Sequence, residues 1–172
     1  MQDVRAAIRD VPNFPREGIL FKDITPVLQS PVLFARVIDA FISRYRDRNL
    51  TAVAAMESRG FIFAAPLARE LKLSFVPLRK PGKLPWKKLS ESYDLEYGKE
   101  ILEIHEDAVH PGDRVLLLDD LLATGGTAHA SATLVRRLGA QVVEAGFVVE
   151  LTFLPGREKL GDVDVYSLIQ FD

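Results

Sequence analysis

Asp119 and Asp120 stand directly behind a run of four apolar residues, Val115 to Leu118, in the stretch "RVLLLDDLLATGGTAHA" that spans Arg114 to Ala130. A buried strand would deliver both carboxylates to its carboxyl edge, after which Ala123, Thr124, Gly125, Gly126 and Thr127 turn the chain into a helix. The first amides of a helix have no partner inside it and carry the positive end of its dipole. With the threonine hydroxyls they can close around a phosphate. Glycine lets the backbone come close to such a ligand. Two carboxylates aimed at the phosphate would repel it, but aimed at sugar hydroxyls or at magnesium they complete a site. The ligand implied is a ribose 5-phosphate. No Gly-Lys-Ser/Thr follows, so this is not a Walker A loop, and the spaced glycines of a dinucleotide fingerprint are missing.

The surrounding elements must hold that stretch in place. "TAVAAME", "LSFVPLR", "VLLLDD", "QVVEAGFVVEL" and "VDVYSLIQF" read as strands, and "GFIFAAPLARELK" and "TAHASATLVRRLG" as helices, the second closed by Gly139. Ser30-Pro31 reads as an N-cap and first helical position ahead of a stripe of Phe34, Val37, Ile38, Phe41, Ile42 and Tyr45. Val4, Ala7, Ile8 and Val11 predict a short opening helix stopped by Pro12 and Pro15, and "NFPREGILFKDITP" an irregular loop with some strand. Strands alternating with helices, several apolar on both faces, predict an α/β fold with a mostly parallel twisted sheet flanked by helices. Ligands in such sheets bind at the carboxyl ends of strands, at a topological switch point. Lys80 to Glu100 breaks the alternation. This Lys-, Gly-, Pro- and Ser-rich segment predicts a mobile lid or a two-stranded flap.

Bulk composition narrows the function classes. The chain has 172 residues, enough for one domain that buries about 70% of its unfolded surface. A formal net charge of -2 argues against a protein held on nucleic acid or anionic membrane by bulk charge. Cysteine is absent, which excludes disulfides, thiolate zinc sites and a thiol nucleophile. No apolar run is long enough to span a bilayer, and the first twenty residues lack the apolar core of a signal peptide, so a cytoplasmic location is expected.

"VLLLDDLLATGGTA" resembles the phosphoribosyl pyrophosphate motif of the type I phosphoribosyltransferase family, in the form "DDLLATGGT" used by members that take adenine. "FPREGILFKDITP", "ESRGFIFAAPLA", "RKPGKLP" and "YDLEYG" match the same branch in order, so the resemblance covers nearly the whole chain. It implies one domain over residues 1–172, with a hood segment 1–30 and a flexible catalytic loop 80–100. The activity it implies moves ribose 5-phosphate from phosphoribosyl pyrophosphate to adenine, giving AMP and pyrophosphate, with Mg2+ bridging pyrophosphate and ribose oxygens and no metal cage of the protein's own. A homodimer is implied as well.

By that resemblance Asp119 and Asp120 hold the ribose and its metal shell, and Ala123 to Thr127 hold its phosphate. Arg59, Arg79 and Lys83 meet pyrophosphate, the second reaching in from a neighbouring subunit; Lys80, Lys87 and Lys88 either share that task or solvate the segment. Glu96 is the expected catalytic carboxylate, facing ring nitrogen 7 of the base, with Tyr97 packing beside it or bridging to the phosphates. Phe21 stacks on the purine, Leu20 and Leu151 wall the pocket, and the backbone of Leu20 and Lys22 reads the base edge. A non-proline cis peptide is expected at Glu57-Ser58. Trp86 and His129 match no fixed role, and His105 and His110 read as solvent or turn residues. Hypoxanthine, guanine or orotate as acceptor, or a regulator that binds the donor without turning it over, are the rival readings; a regulator would need a DNA-binding region for which this chain shows no basic patch.

Overall fold

Alternate residues of the central strands face opposite cores, which is why those strands read as continuous apolar runs. The computed structural model describes residues 1–95 and 98–172. Its main sheet has five parallel strands: β3 (Ala52–Met56), β4 (Ser74–Leu78), β7 (Arg114–Leu122), β8 (Gln141–Leu151) and β9 (Val165–Phe171), in spatial order β4-β3-β7-β8-β9. Ala52, Ala54, Met56, Val115 and Leu117 point into one core with Ala128, Ala132, Leu134 and Val135 of α5 (Gly126–Arg137). Val53, Ala55, Leu116 and Leu118 point into the other. There they meet α1 (Gln2–Ala7), α2 (Thr25–Gln29), α3 (Pro31–Tyr45) and α4 (Arg59–Leu71). The expected α/β architecture with helices on both faces is thus the observed one.

Strand order reverses between β3 and β7, the second strand leading outward to β4 and the third starting the opposite wing. A crevice opens at such a reversal, because the connections on its two sides leave in opposite directions. α4 follows β3 and α5 follows β7, so the two helix N-termini flank that crevice.

Several local expectations hold. Ser30 Oγ accepts from Leu33 N at 3.4 Å ahead of Pro31, and Val37, Ile38, Phe41 and Tyr45 of α3 are buried. Gly139 ends α5 with φ 87°. The opening helix is shorter than its spacing predicts. Ile8 is already extended, and Val11 lies in β1 (Arg9–Pro12), paired with Phe21 of the antiparallel β2 (Leu20–Asp23). Ladder pairing with β2 outweighs a weak helical pattern at a β-branched residue. The flap is wider than the segment 80–100: β5 (Lys88–Leu95) and β6 (Gly98–His105) form an antiparallel hairpin. Tyr93, Leu102 and Ile104 anchor it in the α5-side core. His105 therefore lies in a strand rather than a turn. The short α6 (Gly156–Lys159), which the sequence pattern did not predict, sits beside the loop leading into α5.

Candidate active site

β7 is buried from Val115 to Leu118 and ends in the acidic pair. Asp120 is 4% exposed, and its Oδ2 accepts from Arg59 Nε at 2.6 Å. Asp119 Oδ1 accepts from the Asp120 N-H at 2.8 Å. Burial pushes the Asp119 carboxyl well above the usual range, the Asp120 charge adds to the rise, and Arg59 only partly offsets it.

Gly60 explains how Arg59 reaches that pair. A Cβ there would lie 2.8 Å from Leu118 O and 2.9 Å from Asp119 Oδ1, so only glycine lets the first turn of α4 rest on the end of β7. The Glu57-Ser58 peptide just before it is cis, as the family resemblance implies. Gly125 has φ 79°, and a Cβ on it would stand 2.5 Å from the Gly156 carbonyl oxygen. The loop from Ala123 to Thr127 is thus backed by α6, and α5 starts at Gly126 on the wall of a hollow of about 90 Å³. Asp119, Leu121 and Ala123 to Thr127 line that hollow.

A larger cavity of about 510 Å³ adjoins it, sharing Asp119, Leu121 and Thr127. Its other walls carry Arg59, Lys80 and Lys83 as cations and Glu57, Glu100 and Asp120 as carboxylates. Glu57 organises the cations. Its Oε2 accepts from Arg79 Nε at 3.3 Å and from Lys80 N at 3.0 Å, and its Oε1 from Lys83 Nζ. Burial alone would raise the Glu57 carboxyl, but these donors outweigh it and hold it below the usual range. Glu103 supports the same segment, accepting from Gly82 N at 3.2 Å while its backbone pairs with Arg79.

The remaining expected residues fall on neighbouring elements. Leu20, 48% exposed, Phe21 and Lys22 lie on β2, and the Arg59 guanidinium carbon is 5.5 Å from the Phe21 ring centre. The Lys22 side chain turns away to Asp10 at 2.6 Å and over the Phe171 ring. Leu151 ends β8, one strand beyond the acidic pair. Glu96 and Tyr97 lie outside the described residues. Lys87 and Lys88 are not on the cavity wall, and Lys88 pairs with Glu103 at 3.1 Å. Trp86 is 63% exposed, and His129 is exposed on α5. Tyr93, Glu100, Leu102 and Leu121 line the cavity without having been singled out in the sequence, and Glu57 and Ser58 were named there only for their peptide bond. Glu57 adjoins "SRG", and the Tyr93-Glu100 pairing becomes visible once the hairpin register is known.

A five-stranded parallel sheet, an acidic pair at its switch point and a glycine loop opening onto a cation-lined cavity define a class of enzyme that handles a phosphorylated sugar. Residues 23–169 match the family model of the phosphoribosyl transferase domain. An adenine phosphoribosyltransferase of Anaeromyxobacter dehalogenans is 56% identical over 171 residues, covering 99% of each chain. The crystal structure of adenine phosphoribosyltransferase from Thermoanaerobacter pseudethanolicus is 52% identical with a TM-score of 0.96, covering 99% of each chain. That of the Saccharomyces cerevisiae enzyme, complexed with an imino-altritol bisphosphate and adenine, is 42% identical with a TM-score of 0.92, covering 97% of each. The chain belongs to the adenine phosphoribosyltransferase branch of the phosphoribosyltransferase family.

Proposed function

We propose that this protein transfers the 5-phosphoribosyl group of phosphoribosyl pyrophosphate to adenine, forming AMP and pyrophosphate. The observation that carries the reading is the continuity of two spaces: the amide-lined hollow at Thr124 to Thr127 opens, past Asp119, into the cavity bearing Arg59, Lys80 and Lys83. One ligand with a monophosphate at one end and a diphosphate at the other spans both.

In this reading the free amides of Thr124 to Thr127 hold the 5-phosphate, and Asp119 and Asp120 hold the ribose hydroxyls. Arg59 and Lys83 face the leaving diphosphate, with Arg79 beside them. Positive charge grows on the ribose ring as the bond to pyrophosphate breaks, so carboxylates belong beside the sugar and cations beside the leaving group; fixed charges of this kind are the largest catalytic contribution in such sites. The carboxylates of Asp119 and Asp120 at the cavity wall are oxygen donors of the kind that would hold Mg2+. When bound, the ion supplies charge neutralisation of the leaving pyrophosphate. Phe21 stacks on the adenine between Leu20 and Leu151, and the Leu20 and Lys22 backbone reads its edge. Glu96, placed by sequence between β5 and β6, holds the proton at ring nitrogen 7, and Tyr97 packs beside it.

Residues 1–172 act as one domain in this account, with residues 1–30 as the hood over the base and 80–100 as the catalytic loop. No helix among the described residues is long and apolar enough to cross a membrane, in keeping with a cytoplasmic role. A homodimer is part of this reading; Phe75 on the edge strand β4 and Ile62 on α4 are exposed apolar residues that a second copy would cover. The test is to supply the donor and Mg2+ with adenine, hypoxanthine, guanine or orotate singly and follow pyrophosphate release. Turnover is expected with adenine; turnover with hypoxanthine or orotate but not adenine would overturn the reading. Glu96→Gln should cut turnover far more than donor affinity.

A further inference from the structure

The hydroxyl of Tyr93 touches both sides of the cavity. Its ring is buried with Leu102 and Ile104 beneath the hairpin, and on the ladder it stands opposite Glu100. Its Oη lies 2.8 Å from Glu100 Oε2 and 3.1 Å from Thr127 Oγ1. A carboxylate can only accept, so Tyr93 donates to Glu100 and its oxygen accepts the single hydroxyl proton of Thr127. Glu100 Oε1 also accepts from Lys80 Nζ at 3.2 Å. A continuous hydrogen-bonded path therefore runs from the first turn of α5, through the hairpin, to the cationic wall. Burial pushes the Tyr93 phenol up to about 12, which keeps it a donor throughout the neutral range.

We propose that Tyr93 is a positioning residue for the transfer reaction, whose hydroxyl ties the empty phosphate loop to the hairpin, holds Glu100 when the loop is filled, and so couples the loop's occupancy to the hairpin. This rests on the reading of Thr124 to Thr127 as the 5-phosphate site. A phosphate dianion only accepts, so one seated in the loop draws the Thr127 proton to itself. Tyr93 is then left with Glu100 as its partner. Occupancy of the loop thereby changes the hydrogen bonding of β5 and β6 although neither strand belongs to the loop.

Tyr93→Phe removes the hydroxyl and keeps the buried ring. The expected result is a fall in kcat of about tenfold, the size of one hydrogen bond to a charged group. Affinity for ribose 5-phosphate should stay within about threefold, because Thr127 keeps its proton for the phosphate. A merely structural role would instead lower the melting temperature and reduce kcat and ribose 5-phosphate affinity together, and that result would overturn the proposal. Amide hydrogen exchange supplies a readout that needs no turnover. Ribose 5-phosphate alone should change the protection of residues 88–93 and 99–105 in the wild type and leave Tyr93→Phe unaltered. Unchanged hairpin exchange in the wild type under saturating ribose 5-phosphate, or wild-type kcat in Tyr93→Phe, would also sink it. Failure of ribose 5-phosphate to bind the wild type at all would overturn the phosphate-loop reading itself, and this proposal with it.

Discussion

Asp119 and Asp120 are adjacent in sequence and live in different environments. Asp120 has the Arg59 guanidinium at 2.6 Å, whereas Asp119, half-buried on the cavity wall beside a second carboxylate, is held above its usual pKa, first by desolvation and then by Asp120. A folded-state pKa raised above the unfolded value of about 3.8 means the folded chain keeps a proton that the unfolded chain has released. Stability contributed at this position is therefore lost as pH rises through that window. Asp119→Asn removes the penalty together with the proposed ribose partner. It should raise the melting temperature at neutral pH while lowering kcat/KM for the donor by about 100-fold, the scale of one lost transition-state partner; melting curves and steady-state rates read the two effects separately. The acidic pair and its glycine loop are legible in sequence because strand, pair, loop and helix are consecutive. Glu57, Tyr93 and Glu100 are not, since their roles come from partners supplied by other segments, such as Thr127 meeting Tyr93 across 34 positions.

Among the elements, the loop between β7 and α5 is the least tolerant of change. Gly125→Ala would meet both a positive φ and the Gly156 carbonyl, so the loop must shift. A displacement of about 1 Å at a reacting centre costs on the order of 100-fold, and kcat/KM for the donor should fall by at least that much. Ser30→Ala tests the opposite case. Losing the cap on α3 should cost about 1 kcal/mol in denaturant unfolding and leave turnover unaltered, because Ser30 is remote from the cavity walls. Long elements with one clear period, such as α3 and β8, were readable from their own residues. The opening helix was overextended to Val11 because its competitor, pairing with Phe21, comes from a segment ten residues away. For the same reason the flap was legible within 80–100, but its extent to His105 and its anchors Tyr93, Leu102 and Ile104 were not.

At the scale of the whole molecule, two buried carboxylates tie the far wing of the sheet together. Glu144 accepts from Arg44 Nε and Nη2, both at 2.7 Å, joining β8 to α3. Glu150 accepts from Arg157 Nε at 2.9 Å and Nη2 at 2.7 Å, and from Ser167 and Gln170, joining β8 to α6 and β9. Burial would raise both carboxyls, but their donors outweigh it and hold them below the usual range. A depressed folded pKa gives stability that is present above the unfolded value of about 4.5 and lost as pH falls through the folded one. The protein should therefore lose stability steeply on acidification below that value. Arg157→Ala, which leaves Glu150 with only Ser167 and Gln170 as donors, should cost about 1 kcal/mol at neutral pH, since the guanidinium is half exposed, and flatten that acid limb in melts taken across the range.

The central claim is that the amides of Thr124 to Thr127 hold the sugar phosphate while Asp119 and Asp120 hold its hydroxyls, and a crystal structure with AMP tests it most directly. The account predicts phosphate oxygens about 3 Å from those amides and ribose hydroxyls at the two carboxylates. AMP bound elsewhere, with that loop closed by the protein's own side chains, would contradict it.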